Sequence, residues 1–279
     1  MDLSFRLINT FAASDEPFSG NAICIFDDAC ALDREQMIRL AQQMNVETVF
    51  LISTSPTNPE IHIEIPLSDM RLSASSILGA AHVISQINGI REEMLFRIGE
   101  DTVKARPEGK DNWTIPAAKA TTRKLKSTPQ ILSSLVGLPM SAVSGEVMVV
   151  ESTRSGVVLP VGTVEDVRRT RLDARMLHSY AMLLNTEPQI YVWANREDGA
   201  IESRMFYGPG GGVVEVAATG SGAANLGAWL AAHGEFGRKR IYQGAAVSRP
   251  SMVDLEVRES GQVFVGGHVN DVANGTFRL

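Results

Sequence analysis

The sequence predicts an α+β fold of two similar lobes, each a curved, mostly antiparallel sheet wrapped around one central apolar helix. Three observations lead there. Short apolar or alternating runs, bounded by Gly, Pro, Asp or Asn, recur along the chain and read as strands. Two helical stretches, 77–84 and 223–232, are rich in Ala and Gly with little charge, which suits burial on all sides. Both follow small polar residues and share Leu-Gly-Ala, at Leu78-Gly79-Ala80 and Leu226-Gly227-Ala228, the mark of an internal duplication. Helices are too few to cover both faces of a parallel sheet, so a doubly wound fold is rejected.

Taken in order, residues 5–11 and 22–26 read as strands. Asp33 then caps a helix over 34–44, with Gln36 placed to complete a capping box. Strands follow at 48–52 and 61–65. Ser73 or Ser75 caps the first apolar helix, which runs to Ile87 and stops at Asn88-Gly89. Strands at 95–98 and 102–106 close the first lobe. The second opens with a helix over 129–136, Pro at its start. Strands are expected at 143–150, 157–159, 189–194 and 201–206, with a helix over 173–184. The second apolar helix covers 219–233 and ends at Gly234. Strands at 242–247, 253–257, 263–265 and around Phe277 finish the chain. With 279 residues, two domains are natural, 1–118 and 119–279, the last strand being free to pack with the first lobe.

Composition narrows the function. A net charge of −6 argues against a nucleic-acid partner, which calls for a basic face. No apolar run approaches the ~20 residues of a membrane span, and the start lacks a secretion signal, so a cytoplasmic protein without a membrane partner is expected. Cys24 and Cys30 match no metal spacing, and the five histidines are scattered; neither a metal nor a cofactor is expected.

The most informative stretch is Tyr207-Gly-Pro-Gly-Gly-Gly-Val-Val-Glu-Val-Ala-Ala-Thr-Gly-Ser221, a glycine-rich loop running into the second apolar helix. Such a turn aims backbone N–H groups at an anion, and the helix start adds its positive pole. The residue just before Ala-Ala-Thr-Gly-Ser is well placed for chemistry on that ligand. Here it is Val216, which neither takes nor gives a proton.

Phe206-Tyr207 with Gly212-Val-Val-Glu-Val-Ala-Ala-Thr-Gly-Ser221 resembles a signature of the phenazine biosynthesis protein PhzF family, relatives of diaminopimelate epimerase. Pro17-Phe-Ser-Gly-Asn21 resembles its opening strand–turn–strand. Asn45-Val-Glu-Thr-Val-Phe50 resembles its Asn-Leu-Ser-Glu-Thr-Thr-Phe block, one residue shorter, with Glu47 in the acid's place. The stretch from Pro66 to Ala81 resembles its Gly-His-Pro-Thr segment, and Ser248-Arg-Pro-Ser251 with Val265-Gly-Gly267 its closing strands. The resemblance implies a diaminopimelate epimerase-like fold, an active cleft between the lobes, and a homodimer. Two departures stand out. Ala74-Ser75-Ser76-Ile77 replaces Gly-His-Pro-Thr, so the histidine becomes Ser75, and Glu215-Val216 replaces Glu-Asp. In the epimerase relatives those two slots hold the paired acid and base.

Glu47 is therefore the one expected general base, its pKa raised by burial toward the working range. The competing reading is an exposed carboxylate at a strand end. The expected substrate contacts are Asn21, Asp69, Ser75, Ser76, Val216, Thr219, Gly220 and Ser221, binding a small carboxylate through two helix N-termini. Thr219 and Ser221 are also readable as plain helix caps. Arg71 and Arg204 are candidates to meet a second carboxylate. A two-base epimerisation is rejected for want of a second proton carrier. A one-base isomerisation or tautomerisation is favoured over simple binding of a small acid and over an elimination or pericyclic step needing no proton carrier.

Overall fold

A computed structural model of the chain describes residues 1–13, 16–66, 72–125 and 129–279. It divides into two compact units, Met1–Pro116 with Gly266–Leu279, and Ala117–Val265. The predicted α+β class holds.

The first unit contains β1 (Asp2–Thr10), β2 (Asn21–Phe26), α1 (Arg34–Met44), β3 (Glu47–Ser53), β4 (Glu60–Glu64), α2 (Ala74–Asn88), β5 (Met94–Ile98), β6 (Asp101–Pro107) and β7 (Asn112–Pro116). The second contains β8 (Thr121–Lys124), α3 (Pro129–Val136), β9 (Met148–Glu151), β10 (Gly156–Pro160), α4 (Val164–Arg169), α5 (Ala174–Leu184), β11 (Gln189–Asn195), β12 (Ile201–Tyr207), β13 (Val214–Val216), α6 (Gly220–Ala232), β14 (Gly237–Gln243) and β15 (Ser251–Val257). β16 (Val263–Arg278) starts in the second unit and continues in the first.

One pairing pattern is written twice. In the first unit β1–β2, β3–β4 and β5–β6 are antiparallel, whereas β2–β3 and β4–β5 are parallel. In the second unit β9–β10, β11–β12 and β14–β15 are antiparallel, whereas β10–β11 and β12–β14 are parallel. Parallel neighbours need a crossover, and the helices supply it: α1 and α2 in one unit, α4–α5 and α6 in the other. In the first unit β16 pairs with β7 and, from Thr10↔Val269 to Asp2↔Arg278, with β1, so its strands close into a ring.

Both central helices are buried as their composition predicts. α2 buries every residue from Ser75 to Ile84, and α6 buries Ala223, Leu226, Gly227, Trp229 and Leu230. Each apolar side chain fully withdrawn from water contributes about 1.5–3 kcal/mol. The shared Leu-Gly-Ala has a packing reason. A Cβ on Gly79 would stand 2.5 Å from Ile23 Cδ1, and one on Gly227 2.5 Å from Val263 Cγ1. The opposite sheet faces are covered by amphipathic helices: α1 sets Met37 and Leu40 against Phe26 and Phe50, and α5 sets Leu177 against Ile190 and Val192. Asp33 makes the expected capping box with Gln36.

Several expectations are corrected. The run 143–150 is a strand only from Met148, following a 3-10 turn at Met140–Ala142. The run 242–247 splits, because Gly244 takes a φ of +81° and starts a 3-10 turn over Ala245–Val247. The separate strands at 263–265 and 277 are one strand, β16, held extended through its glycines by β1 and β7. No helix among the described residues is long and apolar enough to cross a membrane.

Candidate active site

The first unit builds its polar site at the start of α2. Glu47 opens β3, in parallel register with Ile23 of β2. It is half-buried, and its carboxylate reaches the first turn of α2. There the Ser76 hydroxyl donates to Glu47 Oε1, and the Ser73 hydroxyl and Ser76 backbone N–H donate to the same carboxylate. Burial pushes the Glu47 pKa above the usual carboxylate range, and these three donors pull back part of the rise. The exposed carboxylate considered from sequence is not what the fold produces.

Ser73 occupies the N-cap position of α2, with φ −136° and ψ 132°, yet its side chain makes no capping bond. Glu47 takes that role from another strand, accepting the N–H of the third helical residue. Asn21, at the start of β2, donates through Nδ2 to Ser75 Oγ at 3.2 Å. Glu47, Ser75, Ser76 and Asn21 are thus gathered at one end of α2. The two serines beside Glu47 carry different duties, since Ser76 engages the carboxylate and Ser75 the amide. Ser73, treated from sequence only as a cap, is the contributor that the motif reading missed. Asp69 and Arg71 lie outside the described residues.

The second unit builds its polar site at the start of α6. The glycine-rich loop turns through Gly210 and Gly211, at φ of +54° and +89°, and enters β13, where Val216 lies opposite Met205. Val216 is half-buried, and its carbonyl accepts from Gln243 Nε2 at 2.9 Å. Thr219 caps α6, its hydroxyl accepting from the N–H of Gly222 at 3.2 Å and lying 3.1 Å from Ser221 Oγ. Gly220 is the first residue of the helix and is buried. The capping reading of Thr219 is therefore satisfied, while the N–H groups of the first turn retain their anion-receptive orientation.

Arg204 is fully engaged within the second unit. It pairs with Glu215 through Nε at 2.9 Å and Nη2 at 2.5 Å, and its Nη1 donates to the carbonyls of Val167, Arg168 and Thr170 at the end of α4. Both partners are nearly buried, so Arg204 is a structural cation and Glu215 its counterion. No cluster of three or more His, Cys, Asp or Glu placed to hold a metal occurs among the described residues.

Comparisons with known proteins agree with this architecture. The family model described as phenazine biosynthesis-like protein matches residues 8–275. An uncharacterized isomerase of Pasteurella multocida is 27% identical over 276 residues, covering 98% of this chain and 93% of that protein. The trans-2,3-dihydro-3-hydroxyanthranilate isomerase of Pseudomonas chlororaphis is 29% identical over 270 residues, covering 89% and 88%. The crystal structure of a phenazine biosynthesis protein of the PhzF family from Bacillus anthracis superposes with a TM-score of 0.85 over 100% of both chains; at 16% identity it speaks for the fold alone.

Proposed function

The chain belongs to the phenazine biosynthesis-like (PhzC-PhzF) family, and from that premise we propose that it is an isomerase working with a single base, Glu47. In this reading Glu47 takes a proton from carbon in a small, conjugated carboxylate-bearing metabolite and returns it to another carbon on the same face. The named relatives support the reaction class, since they are isomerases. The observation that carries the mechanism is the environment of Glu47. Burial raises its pKa above the ordinary carboxylate range, which strengthens it as a base, and donors at the α2 start hold it in place.

Ser75 and Val216 occupy the slots where related sequences carry proton-transferring side chains, and neither titrates usefully. A suprafacial shift needs only one carboxyl group, which is why we favour it over epimerisation. The start of α2 offers polarised N–H groups that favour an anionic substrate and developing enolate charge. Thr219, Gly220 and Ser221 offer the same kind of donors at the start of α6. No cofactor has a part in this scheme.

Turnover of trans-2,3-dihydro-3-hydroxyanthranilate in deuterated water, followed by NMR, is the first experiment. Wild-type protein is expected to introduce deuterium at carbon, and Glu47→Gln to lower the rate by at least ~10²-fold. Exchange that persists in the variant would remove Glu47 from the mechanism. A cytoplasmic setting belongs to the same proposal, supported by the free thiols Cys24 and Cys30; the homodimer rests on the family resemblance alone, and light scattering on purified protein tests it.

A further inference from the structure

We infer that Ser73 and Ser76, in the first turn of α2, are positioning residues that hold Glu47 in one orientation and set the pH at which its carboxylate becomes a base. This rests on the reading of Glu47 as the proton carrier. Ser76 is wholly buried and Ser73 is 9% exposed, so each hydroxyl needs a partner inside the protein. Both find it in the same carboxylate. Ser73 does so at the expense of its own helix. It sits in the N-cap backbone conformation, but its hydroxyl leaves the first-turn N–H groups alone. The Ser76 N–H turns to Glu47 instead. The start of α2 is thus assembled around an acid from β3 rather than around its own cap.

The physical consequence follows from what each group prefers. A carboxylate in dry surroundings is driven toward its neutral form, and three convergent donors favour the charged form. With donors and burial opposed, the balance point depends on two small side chains. No charged side chain among the described residues contributes to it. On the strands flanking β3, burial pushes the Cys24 thiol up to about 12, and His62 and Glu64 bond each other at 2.6 Å. The titratable residue of α2 itself, His82, lies beyond Ser76 by about 1.7 turns of the helix. The serines are therefore the local control on the base. They also leave Glu47 few rotamers, as a carboxylate tied by separate donors has lost its freedom before substrate arrives.

The test uses full-length protein labelled with 13C at the glutamate carboxyl, titrated by NMR, with Glu47 assigned by its absence in Glu47→Gln. In Ser76→Ala the Glu47 midpoint is expected to rise by about one pH unit, a roughly tenfold tighter hold on the proton. Ser73→Ala should shift it in the same direction, and Ser76→Thr, which restores the hydroxyl, should return it toward wild type. A purely structural serine would lower the melting temperature without moving the midpoint. Wild-type midpoints in both alanine variants would overturn the inference. If Ser76→Ala does not fold, Ser73→Ala at the more exposed position decides alone. Deuterium exchange that survives Glu47→Gln, with midpoints still shifted, would instead strike the general-base reading and leave the serine cradle standing.

Discussion

At the scale of single residues, Glu47 is a carboxylate whose burial costs stability once it is ionised. Its folded-state pKa is raised, so the folded protein holds that proton more tightly than the unfolded chain does. The associated stability is complete below the ordinary carboxylate range and is lost as pH rises through the folded value. Glu47→Gln imitates the protonated form. Its melting temperature is expected to exceed wild type at about pH 8 and to match it near pH 4, as differential scanning calorimetry would reveal. A wild type more stable than the variant at the higher pH would mean that the donors outweigh burial. The Arg204–Glu215 pair behaves differently. Arg204→Met should cost about 3–5 kcal/mol in urea unfolding, because it strands a buried carboxylate and the carbonyls ending α4. Adding Glu215→Gln should recover much of the loss.

At the scale of elements, the central helices depend on glycines that let sheet side chains approach the helix backbone. Gly79 faces Ile23 Cδ1 and Ile8 Cδ1, the mobile ends of long side chains, whereas Gly227 faces both methyl groups of Val263. Isoleucine tips can swing aside, but a β-branched valine is stiff at χ1. Gly79→Ala is expected to cost ~1 kcal/mol, offset in part by better helix propensity, and Gly227→Ala about 2–3 kcal/mol. Equal costs in chemical denaturation would show that the Val263 side repacks as easily as the Ile23 side. The helices themselves were legible. α1 announces itself by Asp33 and Gln36, and α2 ends at Gly89 with φ +64°, as its Asn-Gly suggested. α4 was not, since six residues between Thr163 and Thr170 carry too little periodicity to register.

At the scale of the whole molecule, the two units differ in how the chain completes them. The second is continuous in sequence, while the first needs Gly266–Leu279 to supply the partner of β1 along its full length. Loop closure between strands whose paired residues, Thr10↔Val269 to Asp2↔Arg278, lie at opposite ends of the chain is slow and is not rewarded until both ends are present. Pulse-labelled hydrogen exchange during refolding should therefore protect amides of 117–265 before those of β1 and β7. Trp113 reports on the first unit, and Trp193 with Trp229, whose rings meet edge to face at 5.0 Å, on the second. Simultaneous protection in both would mean that the units fold as one.

From sequence alone, local chemistry was decisive: strand and helix periods, capping residues, the repeated Leu-Gly-Ala and the glycine-rich approach to α6 are each written in adjacent residues. So was the position of Glu47 relative to its motif. Only the tertiary structure decided what lies around that acid. Ser73 and Ser76 meet it across 26 and 29 residues, Arg204 finds Glu215 across 11, and β16 stays a single strand despite Gly266, Gly267 and Asn270 because β1 and β7 hold it extended. Propensity and spacing report what a residue prefers by itself. A raised carboxylate pKa, a saturated guanidinium and an unbroken strand are set by partners distant in the chain, and those partners exist only once the sheets have closed around their helices.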